Sequence, residues 1–177
     1  MEKPLFFLDF DRTLFDTEQF TLWLGDDLDK RIALVEAEEI DPPDFSSMLY
    51  ADTIDVLTVL SERYILILLT YTTHPKLQNL KINGSGLMNY FDAIIMTSGD
   101  EMGSGKGNAI RTYVKAHHAT QDGHMFVDDN LPNLHEVKAI NPSIRCIHLC
   151  RNKETQQTFF SQEFFPDATI ANLRELL

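Results

Sequence analysis

Residues 4–16 read PLFFLDFDRTLFD, and this stretch decides the fold. Its apolar run, Pro4–Leu8, ends directly at Asp9, which is typical of a strand buried on both faces of a sheet. Helical patterns alternate with similar runs along the rest of the chain. The further runs are Ile65–Leu69, Ala93–Met96, Met125–Val127 and Ile144–Leu149. This alternation predicts an α/β fold with a doubly wound, mainly parallel five-stranded sheet.

The length of 177 residues suits a single domain spanning 1–177. About sixty residues separate Asp9 from Thr70, roughly twice what one strand–helix unit needs. Two helical patterns occur there, separated by the turn Asp41-Pro42-Pro43, and Gly25 interrupts the first pattern. We interpret residues 17–45, approximately, as a small helical cap inserted after the first strand. The alternative, two ordinary helices of the main layer, fits this length less well.

The charge balance restricts the partners that we expect. Fifteen Lys and Arg against 27 Asp and Glu give a net charge of −12, which disfavours bulk binding to nucleic acid or to anionic membranes. No apolar run approaches a membrane span. Cys146 and Cys150 lie in one apolar stretch, so we expect no disulfide framework and a reducing, cytoplasmic location. We expect a monomer or a homodimer. The tail, Ala168–Leu177, predicts a short strand or turn and a closing helix.

Three of the apolar runs end in a polar residue that could do chemistry: Asp9, Thr70 and Asp128. Ligands of open α/β sheets bind at the carboxyl ends of the strands, so we expect these side chains to converge. Asp11 lies two residues after Asp9 and points the same way in an extended segment. One carboxylate of this pair can be a nucleophile or metal ligand while the other carries a proton. The alternative is that Asp11 or Thr13 starts a turn and caps a helix.

A pair of acids, Asp128 and Asp129, follows the fourth run. Together with Asp9 they form a set of hard oxygen ligands, which suits Mg²⁺ and not zinc. The alternative is that Asp129 or Asn130 caps the helix that begins near Pro132.

The segment Gly103–Gly107 reads GSGKG and resembles a phosphate loop, but it lacks the spacing of an NTP-binding loop. Lys106 still stands at a predicted helix start, where it can approach a bound anion. The alternative interpretation of Lys106 is a solvent-exposed lysine in a flexible loop. Thr70 could donate to a phosphoryl oxygen, or could merely cap the helix near Pro75.

Taken together, these features resemble the motifs of the haloacid dehalogenase superfamily of phosphohydrolases. The first motif is similar to PLFFLDFDRTLFD, with its D-x-D-x-T pattern, and the second to ILILLT. Lys106, at a predicted helix start, resembles the lysine of the third motif. The acid pair in MFVDDN resembles the fourth motif. The four occur in the family's order and cover roughly residues 4–150.

The resemblance implies a catalytic role for the first pair of acids. Asp9 would attack phosphorus and form an aspartyl-phosphate. Asp11 would protonate the leaving alkoxide and then take a proton from water. Mg²⁺ would be held by Asp9, by the backbone carbonyl of Asp11 and by Asp128, with Asp129 as a further ligand.

The resemblance also assigns Thr70 and Lys106 to the substrate's phosphoryl oxygens, where they supply a donor and a positive charge. Dehalogenating members of the family lack the acid that Asp11 supplies, because a halide leaving group needs no proton. We therefore expect a phosphomonoester hydrolase acting on a small phosphorylated substrate. The alternatives are a non-catalytic binding or regulatory module, and a phosphoryl-transferring mutase.

Overall fold

The computed structural model describes residues 3–98, 105–117, 123–151 and 165–177. Within these residues, parallel strands form one six-stranded sheet in the order β3-β2-β1-β4-β5-β6. The strands are β1 (Leu5–Leu8), β2 (Ile65–Tyr71), β3 (Ala93–Thr97), β4 (Met125–Asp128), β5 (Arg145–Leu149) and β6 (Ala168–Ile170). The predicted parallel α/β sheet is confirmed.

The predicted number of five strands is wrong by one. The sixth strand, β6, has three residues and lies at the sheet edge beside β5, where only Ile170 is buried. The sequence allowed a short strand or turn here, because three residues carry too little apolar pattern to decide between them. The predicted closing helix is a single 3₁₀ turn, Leu173–Leu176, with Asn172 and Glu175 forming a capping box at its start.

Helices cover both faces of the sheet. Their bounds are α1 (Thr17–Leu24), α2 (Leu28–Glu36), α3 (Thr53–Arg63), α4 (Pro75–Gly84), α5 (Lys106–Ala116) and α6 (Leu131–Ile140), with 3₁₀ turns at Phe45–Met48 and Leu87–Tyr90. On β1, Phe6 and Leu8 pack into a hydrophobic cluster with α1 to α4, whereas Leu5 and Phe7 pack against α5 and α6. This two-sided core is the doubly wound arrangement that the apolar runs predict.

The segment between β1 and α3 contains α1 and α2. Gly25 separates them with a φ of 74°, a left-handed conformation that suits glycine. Phe20, Leu24 and Val35 belong to the same buried cluster as β1 and α3, so these helices pack against the main body. Their function as a cap over residues 17–45 stays a prediction.

The sheet order brings the proposed chemical positions together. β1 lies between β2 and β4, with Leu8 level with Leu68 on one side and with Val127 on the other. Asp9, Thr70 and Asp128 therefore lie at the same carboxyl edge of three adjacent strands. No helix in the described part of the chain combines the length and the apolar character that crossing a membrane requires.

Candidate active site

Asp9, Lys106 and Asp128 form a buried ionic centre at this edge. The Asp9 backbone N–H donates to the Val127 carbonyl (3.0 Å), which extends the pairing of β1 and β4 by one residue. Lys106 is the first residue of α5, and its Nζ donates to Asp9 Oδ1 (2.5 Å) and to Asp128 Oδ2 (2.7 Å). Lys106 is 3% exposed and Asp128 is fully buried, so these contacts are shielded from water. The interpretation of Lys106 as a solvated loop lysine is wrong.

Asp129 completes a cluster of three carboxylates. Asp9, Asp128 and Asp129 each have an oxygen within 4.8 Å of the other two, close enough to share one metal ion. The amide of Asn133 on α6 donates to both Asp128 oxygens (3.2 and 3.1 Å) and fixes that carboxylate. Of the two candidate helix caps, Asn130 is the one observed, because its side chain accepts from the Asn133 N–H. Asp129 is thus not used as a cap.

The electrostatics of the cluster point to a missing positive charge. Burial raises the pKa of Asp9 to about 8, with Lys106 opposing the rise and the other two carboxylates adding to it. Burial lowers the pKa of Lys106, but the carboxylates of Asp9 and Asp128 outweigh burial, so its pKa is raised. Burial and then Asp128 raise the pKa of Asp129 to about 6. When all three carboxylates are ionised, the single ammonium leaves two negative charges without a partner in the cluster, and an all-oxygen donor set fits a hard divalent cation.

The carboxylate of Asp11 is held by a different set of groups. Its Oδ1 accepts from the Thr17 hydroxyl (2.9 Å) and pairs with the ammonium of Lys81, and its Oδ2 accepts from Gln78 Nε2 (2.8 Å). It does not belong to the three-carboxylate cluster described above. Neither Asp11 nor Thr13 caps α1, because the Asp16 side chain accepts from the Gln19 N–H there.

Thr70 lies in β2 with its side chain buried. Its hydroxyl accepts from Gln78 Nε2 (2.9 Å). Thr70 does not cap α4, since the cap position is His74, whose N–H is accepted by the Thr72 hydroxyl. The helix-cap interpretation of Thr70 is therefore wrong.

Sequence reasoning missed Gln78 and Lys81, which connect α4 to Asp11 and Thr70. A signal was present, since the two polar residues share the helix face of the buried residues Leu77 and Ile82. A lysine on the apolar face of a helix that follows Thr70 indicates a buried ionic partner. Of the GSGKG segment, Gly103 and Ser104 lie outside the described residues.

Solved structures match this architecture over nearly its whole length. A haloacid dehalogenase-like hydrolase from Burkholderia xenovorans is 17% identical, with a TM-score of 0.76 over 99% of this chain and 95% of that one. The chain has the haloacid dehalogenase fold. A HAD phosphatase from Thermococcus onnurineus (19%, TM-score 0.67, 98% and 95%) and an L-2-haloacid dehalogenase from Xanthobacter autotrophicus (13%, 0.65, 99% and 97%) also match. No protein-family model matches the chain, and no curated protein matches it.

In this haloacid dehalogenase fold, a cavity of about 640 Å³ opens beside the carboxylates, and Asp129 belongs to both. Arg12, from the loop after β1, lines it and has a φ of 60°, a left-handed conformation unusual for a residue with a side chain. Arg151 also lines the cavity, stacks over the Tyr50 ring at 3.8 Å and pairs with Asp52 at 2.9 Å. The cavity volume is that of a small-molecule site.

Proposed function

We propose that this protein is a Mg²⁺-dependent phosphomonoester hydrolase that acts through an aspartyl-phosphate on Asp9. The observation that carries the proposal is the pairing of two differently held carboxylates. Asp9 belongs to a buried cluster of three carboxylates with one ammonium, whereas Asp11, two residues later, is hydrogen-bonded outside that cluster. One carboxylate is thus suited to attack phosphorus beside a cation, and the other is placed to transfer a proton.

In the proposed reaction, a carboxylate oxygen of Asp9 forms a bond to phosphorus as the bond from phosphorus to the ester oxygen breaks. Asp11 transfers a proton to the departing alkoxide and becomes the base. Water then attacks phosphorus, Asp11 takes a proton from it, and the bond between Asp9 and phosphorus breaks. Phosphate and free Asp9 result, so each turnover restores both carboxylates.

Burial favours the neutral form of Asp9, but the nucleophile must be ionised, so positive charge is needed beside it. Lys106 supplies one such charge at 2.5 Å. Asp9, Asp128 and Asp129, with the backbone carbonyl of Asp11, would hold Mg²⁺. The ion would offset the repulsion between the nucleophile and the phosphate dianion.

Lys106 and Thr70 are the proposed contacts for the transferring phosphoryl oxygens. Both are buried at the carboxyl edge of the sheet, where an ammonium and a hydroxyl interact more strongly with developing charge than they would in water. Each is fixed by neighbours, Lys106 by two carboxylates and Thr70 by Gln78.

Asp11 supports phosphate ester hydrolysis over dehalogenation. A halide ion leaves without a proton, whereas an alkoxide is a poor leaving group unless it is protonated. A dehalogenase would have no use for a carboxylate held by three donors at this position, as Asp11 is.

The cavity beside Asp129 is the proposed site for the leaving group. Asp16 and Glu18, at the start of α1, line it together with Arg12 and Tyr50. The inserted helices would then contribute one wall of the substrate site, in line with a cap function for residues 17–45. A small phosphorylated metabolite fits this volume.

A panel of phosphorylated metabolites with Mg²⁺, assayed for phosphate release, tests the proposal. We expect the wild-type protein to release phosphate from some members of the panel, and Asp9→Asn to release none. Lys106→Ala should reduce turnover severely. An active Asp9→Asn variant, or no phosphate release from any ester, would overturn the proposal. In the second case, trapping of beryllofluoride would point to a non-catalytic module, and an isomerised product would point to a mutase.

A further inference from the structure

Two buried polar side chains of α4, Gln78 and Lys81, have no part in the reaction as written above. They are 3% and 4% exposed. Burying an ammonium or an amide is costly unless it is paired, so both groups need compensating contacts to be tolerated there. All of the polar contacts that the structure gives them lead to Asp11, to Thr70 or to each other.

Among the described residues, the ammonium of Lys81 pairs with one carboxylate and is surrounded by aromatic rings. It pairs with Asp11 Oδ1 and also donates to Gln78 Oε1 at 3.1 Å. The centroids of three aromatic rings lie 4.8–5.4 Å from Lys81 Nζ. Such rings are favourable neighbours for a cation, and they exclude water from the remaining sides of the ammonium. These rings belong to Phe10, Phe15 and Phe20. The lysine is therefore held in one position by its surroundings.

The contact with Lys81 determines the orientation of the Gln78 amide. An ammonium only donates hydrogen bonds, so it must face the carbonyl oxygen of the amide. The amide nitrogen then points to Asp11 Oδ2 (2.8 Å) and to Thr70 Oγ1 (2.9 Å). Because the Thr70 oxygen accepts this bond, the hydroxyl proton of Thr70 is left to be donated elsewhere.

We propose that Gln78 and Lys81 are positioning residues that hold the Asp11 carboxylate and the Thr70 hydroxyl as one unit. Lys81 fixes the orientation of the Gln78 amide. Gln78 in turn fixes the Asp11 carboxylate and leaves the Thr70 hydroxyl to donate its proton away from Gln78. The proposal rests on the proposed phosphatase function and adds to it: proton delivery by Asp11 depends on α4, beyond the four motif positions. Misplacing a catalytic group by about an ångström costs on the order of 10²-fold in rate.

The leaving group of the substrate separates this role from a merely structural one. An aryl oxide such as p-nitrophenolate departs without a proton, whereas an alkoxide needs one from Asp11. Loss of the positioning unit should therefore slow hydrolysis of an alkyl phosphate more than that of p-nitrophenyl phosphate. A general loss of folded protein lowers both rates by the same factor.

The test compares kcat/KM for p-nitrophenyl phosphate and for the best alkyl phosphate of the metabolite panel, with Mg²⁺, because kcat/KM reports formation of the aspartyl-phosphate and not its hydrolysis, which both substrates share. For Lys81→Met we expect the ratio of alkyl to aryl kcat/KM to fall at least about tenfold, since a general acid contributes about 10²–10⁴ in rate. Gln78→Met should shift the ratio in the same direction and serves if Lys81→Met does not fold. The matched control is Lys76→Met, which removes an exposed lysine of the same helix that contacts Glu36 and Glu38 and should leave the ratio unchanged.

The two proposals fail in different ways. An active wild-type protein whose ratio is unchanged in a folded Lys81→Met or Gln78→Met variant overturns the positioning role alone. Equal factors of slowing for the alkyl and the aryl ester in these variants likewise overturn the positioning role. A wild-type protein that hydrolyses neither ester overturns the phosphatase function, and the positioning role with it.

Discussion

The three-carboxylate cluster predicts that, without a divalent cation, repulsion among these carboxylates destabilises the folded protein. Asp129 is the member suited to a measurement, because it is only partly buried and makes no ion pair with Lys106 in the structure. The substitution Asp129→Asn removes its charge and keeps its shape. We expect this variant to be more stable than the wild-type protein at neutral pH in EDTA.

The size of the effect follows from the pKa of Asp129. Burial, followed by the neighbouring Asp128, raises this pKa from 3.8 to about 6, with Arg12 opposing the rise. Between these two values the folded protein keeps a proton that the unfolded chain has lost, so stability falls as the pH rises. The full cost, reached above pH 6, is about 3 kcal/mol. It disappears below about pH 3, where Asp129 is protonated in both states.

Urea unfolding of both proteins from pH 4 to 7.5 in EDTA measures the difference in free energy of unfolding. The difference should grow from less than about 1 kcal/mol at pH 4 to about 3 kcal/mol at pH 7.5 in favour of Asp129→Asn. Groups that do not interact with Asp129 cancel between the two proteins, and the lower pKa of Asp9 in the variant adds to the difference. Excess Mg²⁺ should then stabilise the wild-type protein by about 2.7 kcal/mol if its concentration is a hundred times the Kd for that protein. The same Mg²⁺ concentration should stabilise the variant less. A difference that stays constant over this pH range would refute the reasoning about the cluster.

Three further substitutions test other parts of the site by chemical unfolding. Arg12→Gly should raise the free energy of unfolding by about 0.5–1 kcal/mol near pH 4, where folded Asp129 carries little charge for Arg12 to offset. Glycine relieves about 1–2 kcal/mol of strain at a φ of 60° and costs about 0.4–1 kcal/mol in chain entropy; a lower stability would contradict this. Lys106→Met should lower the free energy of unfolding in EDTA by about 3 kcal/mol, because it leaves the buried carboxylates of Asp9 and Asp128 without a counter-charge. An unchanged urea midpoint would argue against these ion pairs. Gly107→Ala should cost about 1 kcal/mol, because its Cβ would lie 3.1 Å from the Glu136 backbone oxygen and 2.8 Å from Ile140 Cδ1, and this crowding outweighs the helix propensity of alanine. Wild-type stability would show that α6 moves to accommodate the methyl group.

Most of the sheet could be predicted from the sequence because its strands are buried on both faces. A run such as Ile65–Leu69 has no polar position, so its place in a covered parallel sheet follows from composition alone. The same logic predicts the edge where Asp9, Thr70 and Asp128 meet, since parallel strands end on one side. β6 lacks this signal, because one of its three residues is buried.

The contacts of α4 could not be predicted in the same way. A lysine or glutamine on a helix usually faces solvent, and only the packing of α4 against the loop after β1 shows that Gln78 and Lys81 face Asp11. The choice between Asp129 and Asn130 as a helix cap also depends on tertiary structure. Both residue types cap helices well. That Asp129 lies in the carboxylate cluster follows only from the pairing of β1 with β4, which brings Asp129 close to Asp9.

The position of β1 in the middle of the sheet has a consequence for biosynthesis. β1 leaves the ribosome before both of its neighbours in the sheet, which begin at residues 65 and 125. At about 5–20 residues per second, roughly 6–24 s pass between the synthesis of β1 and that of β4. Throughout that interval the nascent chain carries the apolar sequence LFFL with an unpaired strand edge, the kind of segment that aggregates or recruits chaperones. The strand that leads into Asp9, the proposed nucleophile, is therefore also a segment that needs protection until β4 has been synthesised.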